Sequence, residues 1–483
     1  MEHVTRMKLD SAPEFRILQP VARLTDPHVW TDNKSQLGIR WALYEPLARY
    51  GEGGNYRPVL AEEWTVSPDA RTWVFRLRDA VTFHRGGRLT AWDVVASLDR
   101  ARHPAMAGEL GTSGLYQSYL GSAKIEALDK QTVRITLREP MADLLDLLME
   151  IPIVPKSWVD EPSGVPAGTG PYHLVEAEPG HVLAEMFRGY WLGPPSLNRV
   201  LWQAEPDADQ RIERLLTGDV DLVTDVPPHR RRELVSRESA EVVEAPSSVC
   251  VVFMCNARSG PCSDRRVRQA LNYALDVGEI IDAVKDGAAQ PLTGPLTPLH
   301  LGFDPTVLPY PCDPGEAQRL LATAGYGKGL RLTLDIPTSI PDEAPLLAQI
   351  MGEQFARIGV VTEINVVRDR SDYAERVKNK SIHDACCFDS SPLSTYRVLR
   401  EKFHSQVQGP WWQGYCNLKV DELLDKARST PDREPRQELY RHAYRIIHED
   451  APWLFLYSPS LLWAVGPRGR GWKPEVDGTI NLR

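Results

Sequence analysis

Apolar positions along this chain fall into two periods, and the alternation between them predicts its elements. In "TWVFRLR" (72–78), Trp73, Phe75 and Leu77 take one face and Arg76 and Arg78 the other, the period of a half-buried strand. Thr90 with Asp93 three residues on predicts a capped helix start, and Val94, Val95, Leu98 and Ala101 continue at helical spacing. "GTGPYHLVEAEPG" (168–180) predicts a forced turn over Gly168–Pro171, because glycine permits backbone angles closed to other residues and proline cannot join a ladder. A hairpin follows, Tyr172–Ala177 with His181–Phe187 around a type II turn at Glu178-Pro179-Gly180. "RVLWQA", a helix through Ile212, Leu215 and Leu216 stopped at Gly218, and "VDLVTDV" form a further strand–helix–strand run.

Val267, Ala270, Leu271, Ala274 and Leu275 predict another helix, after which Asp276 and Glu279 cap a new one ending at Gly287. "LRLTLDI", a helix over Leu347–Ile358 and "VVTEINV" read as a β-α-β unit with parallel strands. Pro-rich stretches at 291–314 and 337–345 mark long connections. Two amphipathic helices (418–429 and 433–449) precede the aromatic run "APWLFLYSPSLLW". The pattern is that of a multidomain α/β or α+β protein.

Its 483 residues exceed one ordinary core and suggest about two to four domains. A hydrophobic content of 42% and a charged content of 25% are those of a globular chain. A net charge of −9, without any basic run, argues against nucleic acid as a partner. No apolar run reaches the roughly 18–20 residues of a membrane helix. The opening "MEHVTRMKLDSAPEF" lacks the apolar segment of a secretory signal, so the expectation is a cytoplasmic protein or one whose signal has been removed. Seven cysteines cannot all pair within the chain; Cys250, Cys255, Cys386 and Cys387 lie in apolar runs and read as buried free thiols, not a zinc site. Phosphate loops, nucleotide-binding glycine motifs, nucleophile elbows and HExxH are all absent, and the 12 histidines are scattered. Binding, not catalysis, is the class this favours, with no cofactor and no metal.

Five segments in order then resemble one family: "LYEPLARY", "PVLAEEWTVSPDARTWVFRLRDAVTFHRGGRLTAWDVVASLDRA", "GTGPYHLVEAEPG", "VRQALNYALDVGEIIDAVKDGAAQPLTGPLTP" and "GYCNLKVDELLDKA". They are similar to the extracytoplasmic solute-binding proteins of peptide-type ABC transporters, whose members take oligopeptides, dipeptides, nickel complexes or opines. The resemblance implies an α/β, two-lobed periplasmic-binding-protein fold with a hinge, plus an additional α+β domain on the first lobe. The implied division is 14–39, 166–247 and 452–483 for the first lobe, 40–165 for the additional domain and 248–451 for the second lobe. It also implies a periplasmic or cell-surface monomer that captures a small-molecule or peptide ligand and delivers it to a membrane permease.

In peptide-binding members an aspartate after a second-lobe strand pairs with the ligand's ammonium. Asp389 in "HDACCFDSSPLSTYRVL" takes that place if one residue is deleted after it; the alternative is a turn cap. Where relatives carry a second Asp-Pro, this chain has Ser391-Pro392, so Ser390 and Ser391 suit a more hydroxylated or negative ligand. Arg397 is positioned for a ligand carboxylate or phosphate, or is a solvated helix arginine. Adjacent Trp411 and Trp412, with Tyr415, offer a stacking wall for the cleft, since two neighbouring tryptophans cannot both face one core. Trp30, Asp32 and Asn33 follow the Asp26-Pro27 segment that lines the cleft in relatives, whereas Glu45 reads as structural. Asp389 favours a peptide or opine-like amine as ligand. The serines, Arg397 and the tryptophans keep open an oligosaccharide, sugar phosphate or metal chelate, and a hydrolase or cytoplasmic sensor on the same fold is a further alternative.

Overall fold

The computed structural model describes residues 14–51, 54–106, 108 and 114–482. The opening segment read for a signal, 1–13, lies outside the described residues. A seven-stranded sheet gathers distant parts of the chain in the order Glu241–Ala245, Leu461–Val465, Leu222–Val223, Phe15–Gln19, Arg199–Ala204, His181–Met186 and Tyr172–Glu178. A six-stranded sheet runs Ala289–Pro291, Trp453–Pro459, Cys250–Cys255, Ala385–Ser390, Leu330–Pro337 and Val360–Val367. The third body carries an antiparallel sheet of Ala61–Val66, Thr72–Leu77, Thr132–Thr136 and Lys124–Ala127.

The chain passes between the two large sheets twice, after Ala245 and after Pro459, and the Ser458 hydroxyl donates to the Ser247 carbonyl at 3.1 Å where the crossings meet. Trp453–Pro459, grouped with the first lobe on sequence grounds, pairs instead with Cys250–Cys255 in the six-stranded sheet. Its first six residues are all buried, so it has the two covered faces of a central strand, and the first sheet resumes at Leu461.

Local expectations hold in physical detail. Trp73, Phe75 and Leu77 are buried and Arg76 is exposed. Asp93 accepts from the Thr90 backbone N–H at 2.8 Å and from its hydroxyl at 2.6 Å, starting the helix Ala91–Ala101. Leu330–Pro337 and Val360–Val367 are parallel in register around the helix Ala344–Ala356. "VDLVTDV" contributes only Leu222–Val223 as strand. All seven cysteines are free thiols; the four named in apolar runs are buried, as is Cys262.

The glycines of "GTGPY" act by close approach. Neither Gly168 nor Gly170 has a positive φ, but a Cβ on Gly168 would lie 1.8 Å from the Leu43 carbonyl oxygen, and one on Gly170 would lie 2.6 Å from that of Ala42. The backbone here is pressed onto the end of the helix Lys34–Leu43, with the Gly170 N–H bonded to the Leu43 carbonyl. Gly180 does take the left-handed region its turn demands, φ +85°. Among the described residues, no helix is long and apolar enough to cross a membrane.

Candidate functional site

Two loops face each other where the lobes meet, and each is held by a buried neutral histidine. On the first-lobe side, Arg100 forks onto Asp26 at 2.8 and 2.5 Å. His28 donates from Nε2 to the Pro152 carbonyl at 2.9 Å and accepts an Arg100 N–H at Nδ1, also at 2.9 Å. Burial lowers its pKa to about 4, keeping the neutral form that both bonds require. On the second-lobe side, His300 donates from Nε2 to the Pro392 carbonyl at 2.8 Å and accepts the Thr297 N–H at 3.0 Å. Burial drives this imidazole too down to about 4.

These anchors set the two loops in contact. Ser391 donates its hydroxyl to Asp32 at 2.7 Å, and Ser248, in the first crossing segment, donates to the Ser391 carbonyl at 2.9 Å. Trp30 donates its indole N–H to Glu150 of the additional domain at 2.6 Å. Arg397, from the second-lobe helix Thr395–Phe403, lies 3.3 Å from Glu150 and 3.7 Å from Glu401, its guanidinium 5.2 Å from the Trp30 ring. All three bodies therefore meet at one charged node. A crevice of about 80 Å³ remains beside it, lined by Trp30, Asp32, Tyr116, Glu150 and Ser391 among others.

Asp389 is the penultimate residue of the strand Ala385–Ser390, opposite Val251, and is not among the residues lining that crevice. It has no ion pair. Burial, then the negative charge of Asp32, pushes its carboxyl up to about 7, with Arg370 and its own backbone N–H offsetting part of the rise. A carboxylate so placed is short of a cation.

A family model described as "Bacterial extracellular solute-binding proteins, family 5 Middle" matches residues 55–386. The chain belongs to that family. The glutathione-binding protein GsiB of Escherichia coli K12 is 29% identical over 456 residues, covering 91% of this chain and 87% of its own. The solved structure of AgaA from A. tumefaciens R10, in complex with agropinic acid, is 26% identical with a TM-score of 0.75, covering 94% of each chain. HbpA2 from Haemophilus parasuis has the same fold at 22% identity, with a TM-score of 0.84 over 98% of this chain and 100% of its own.

In this family-5 solute-binding protein the residues singled out by sequence divide sharply. Trp30, Asp32, Ser391 and Arg397 come together. The solvated-arginine alternative for Arg397 fails, because the residue is 5% exposed. Asn33 caps the helix Lys34–Leu43, accepting the Gln36 N–H at 3.1 Å, so its side chain is already committed. Ser390 is buried with its hydroxyl unpaired. Trp412 and Tyr415 do not reach the cleft: Trp412 donates to the Tyr415 carbonyl at 2.7 Å, and the Tyr415 hydroxyl donates to Asp450 at 2.7 Å inside the second-lobe core. Trp411, half-buried, packs against Phe388 with tilted rings, centroids 5.2 Å apart, and lines a separate chamber. Thus one tryptophan faces in and one out. Glu45 is structural, accepting from Tyr190 at 2.7 Å and Trp191 at 2.9 Å. Glu150 went unnoticed from sequence; its signal was one of two acids, with Asp146, set within the otherwise apolar run "LLDLLMEIPIV".

Proposed function

We propose that this protein is the solute receptor of an ABC importer, and that it captures an amine-bearing short peptide or amino-acid conjugate between its lobes. It works outside the cytoplasmic membrane as a monomer, hands its cargo to the membrane permease and performs no chemistry on it. One observation carries the ligand class: Asp389 is a partly buried carboxyl with a second carboxylate, Asp32, close enough to raise its pKa, and among the described residues no cation forms an ion pair with it, Arg370 only partly offsetting the rise. A primary ammonium placed there makes charge-assisted bonds and relieves the repulsion, whereas an unpaired carboxylate in a closed cleft is costly.

The crevice of about 80 Å³ is well below the roughly 300–1,000 Å³ of small-molecule sites and does not hold a peptide. Loading therefore requires the lobes to part along the two crossing segments and to close again around the ligand. A ligand shifts that balance only through contacts it makes better in the closed form. The relative named for glutathione and the complex with agropinic acid support an amino-acid conjugate as cargo. Readings that rest on Trp412, Tyr415 or Arg397 as free ligand contacts lose ground, because those side chains are engaged internally.

Calorimetric titration with glutathione, a panel of dipeptides and their N-acetylated forms tests this. Binding of one or more free amines, its loss on N-acetylation and its loss in Asp389→Asn are expected. An N-acetylated form bound as tightly as its parent overturns the amine reading.

A further inference from the structure

A chamber of about 500 Å³ opens between the additional domain and the second lobe. Arg397 lines it, while Glu150, its partner, lines the small crevice, so this ion pair partitions the two spaces. Four guanidinium groups line the chamber (Arg138, Arg397, Arg400 and Arg428) against two carboxylates, Glu139 and Glu401. Both carboxylates are committed: Glu139 to Arg428, and Glu401 to the Tyr119 hydroxyl and, at 3.7 Å, to Arg397. Arg400 is held from outside the lining by Asp425 at 2.7 Å.

Two features remain unanswered. Arg138 is exposed at the chamber and makes no hydrogen bond or ion pair among the described residues, feeling only the longer-range charge of neighbouring Glu139. The Nε groups of Arg397 and Arg428 are buried without an acceptor. Ring faces supply much of the rest: Tyr119 meets Tyr396 edge-on at 5.8 Å and Trp411 closes another side, while Ser118 and Ser122 add hydroxyls to the wall. Its volume lies within the usual range for small-molecule sites, roughly 300–1,000 Å³. Guanidinium forks recognise carboxylate and phosphate oxygens, and they stack on planar groups.

We propose that this chamber is a second recognition pocket, for a carboxylate or phosphate carried on a flat or apolar body, with Arg138 as the contact that reads the charge. Its walls come from two bodies, so an occupant bridges the additional domain and the second lobe and favours the closed arrangement. The pocket stands on its own residues and does not depend on the amine reading of Asp389.

Titration calorimetry of the full chain with isophthalate, with its neutral diamide and with phenyl phosphate tests the pocket. Isophthalate or phenyl phosphate binds, the tighter of the two naming the oxyanion, and the diamide does not. Arg138→Gln, an exposed change checked by an unaltered melting temperature without probe, weakens binding about tenfold or more. Added salt weakens it too, and Asp389→Asn does not weaken it. The proposal is overturned if neither anion binds at millimolar concentration, if Arg138→Gln binds as the parent does, or if Asp389→Asn abolishes binding, which places the probe in the amine site.

Discussion

Asp389→Asn removes a charge that the closed cleft accommodates badly, and the size of the effect follows from the shifted pKa. Burial, with the charge of Asp32, pushes the carboxyl up to about 7 in the folded protein from its ordinary value near 3.8, a gap of about three pH units. At about 1.4 kcal/mol per unit this is roughly 4 kcal/mol, a ceiling because parting of the lobes rehydrates the group. The sign follows from where each state holds its proton. Below pH 3.8 both states are protonated and the group costs nothing. Between 3.8 and about 7 the unfolded chain ionises first, so the wild type loses stability as pH rises, and above 7 the loss is complete. Denaturant unfolding of ligand-free wild type and Asp389→Asn from pH 4 to 8 therefore shows a stability gap that widens up to neutrality and then levels off, with the variant the more stable. Asp146, also pushed up to about 7 by burial, titrates in both proteins and cancels. Parallel curves at every pH would refute the reasoning.

Further expectations concern the frame of the site. His28→Asn loses the bonds to Pro152 and Arg100 but also the acid lability: the wild type weakens as pH falls from about 6.5 toward 4, where folded His28 resists the proton that the unfolded chain accepts, and the variant's unfolding curve is flatter over that window. Arg397→Gln strips Glu150 of its counter-charge and costs about 1–3 kcal/mol, reduced from a fully buried pair because the Glu150 side chain is 31% exposed; adding Glu150→Gln recovers much of the loss in urea melts. Gly168→Ala drives a methyl into the Leu43 carbonyl and costs about 3 kcal/mol or more, whereas Gly218→Ala, in open space at φ +81°, costs about 1 kcal/mol; thermal melts of the pair separate close approach from backbone strain.

What could be read from sequence was whatever depends on near neighbours. Alternation in 72–78 and the Thr90–Asp93 cap are decided within a few residues, and both formed as expected. The "GTGPY" turn was legible as a constraint but not in its cause, since Leu43 lies 125 residues upstream of Gly168. Trp453–Pro459 shows the same limit: an apolar run announces a central strand without saying which of two sheets it enters. At the site, Asp389 and Asp32 could be proposed one by one, but their mutual repulsion needs the lobes closed. Trp412 and Tyr415 had the composition of a binding wall and became core because Asp450 waits for the Tyr415 hydroxyl from another helix. Arg397 with Glu401 is visible at helical spacing; its stronger contact, Glu150, is 247 residues away.

The central claim, an amine-bearing ligand held at Asp389, is tested most directly by native mass spectrometry of the protein purified without denaturation, followed by release of whatever it carries. The expected result is a released small molecule that reacts with an amine-specific reagent, present in the wild type and missing from Asp389→Asn. A released ligand without a primary amine, or one retained equally by the variant, would contradict it.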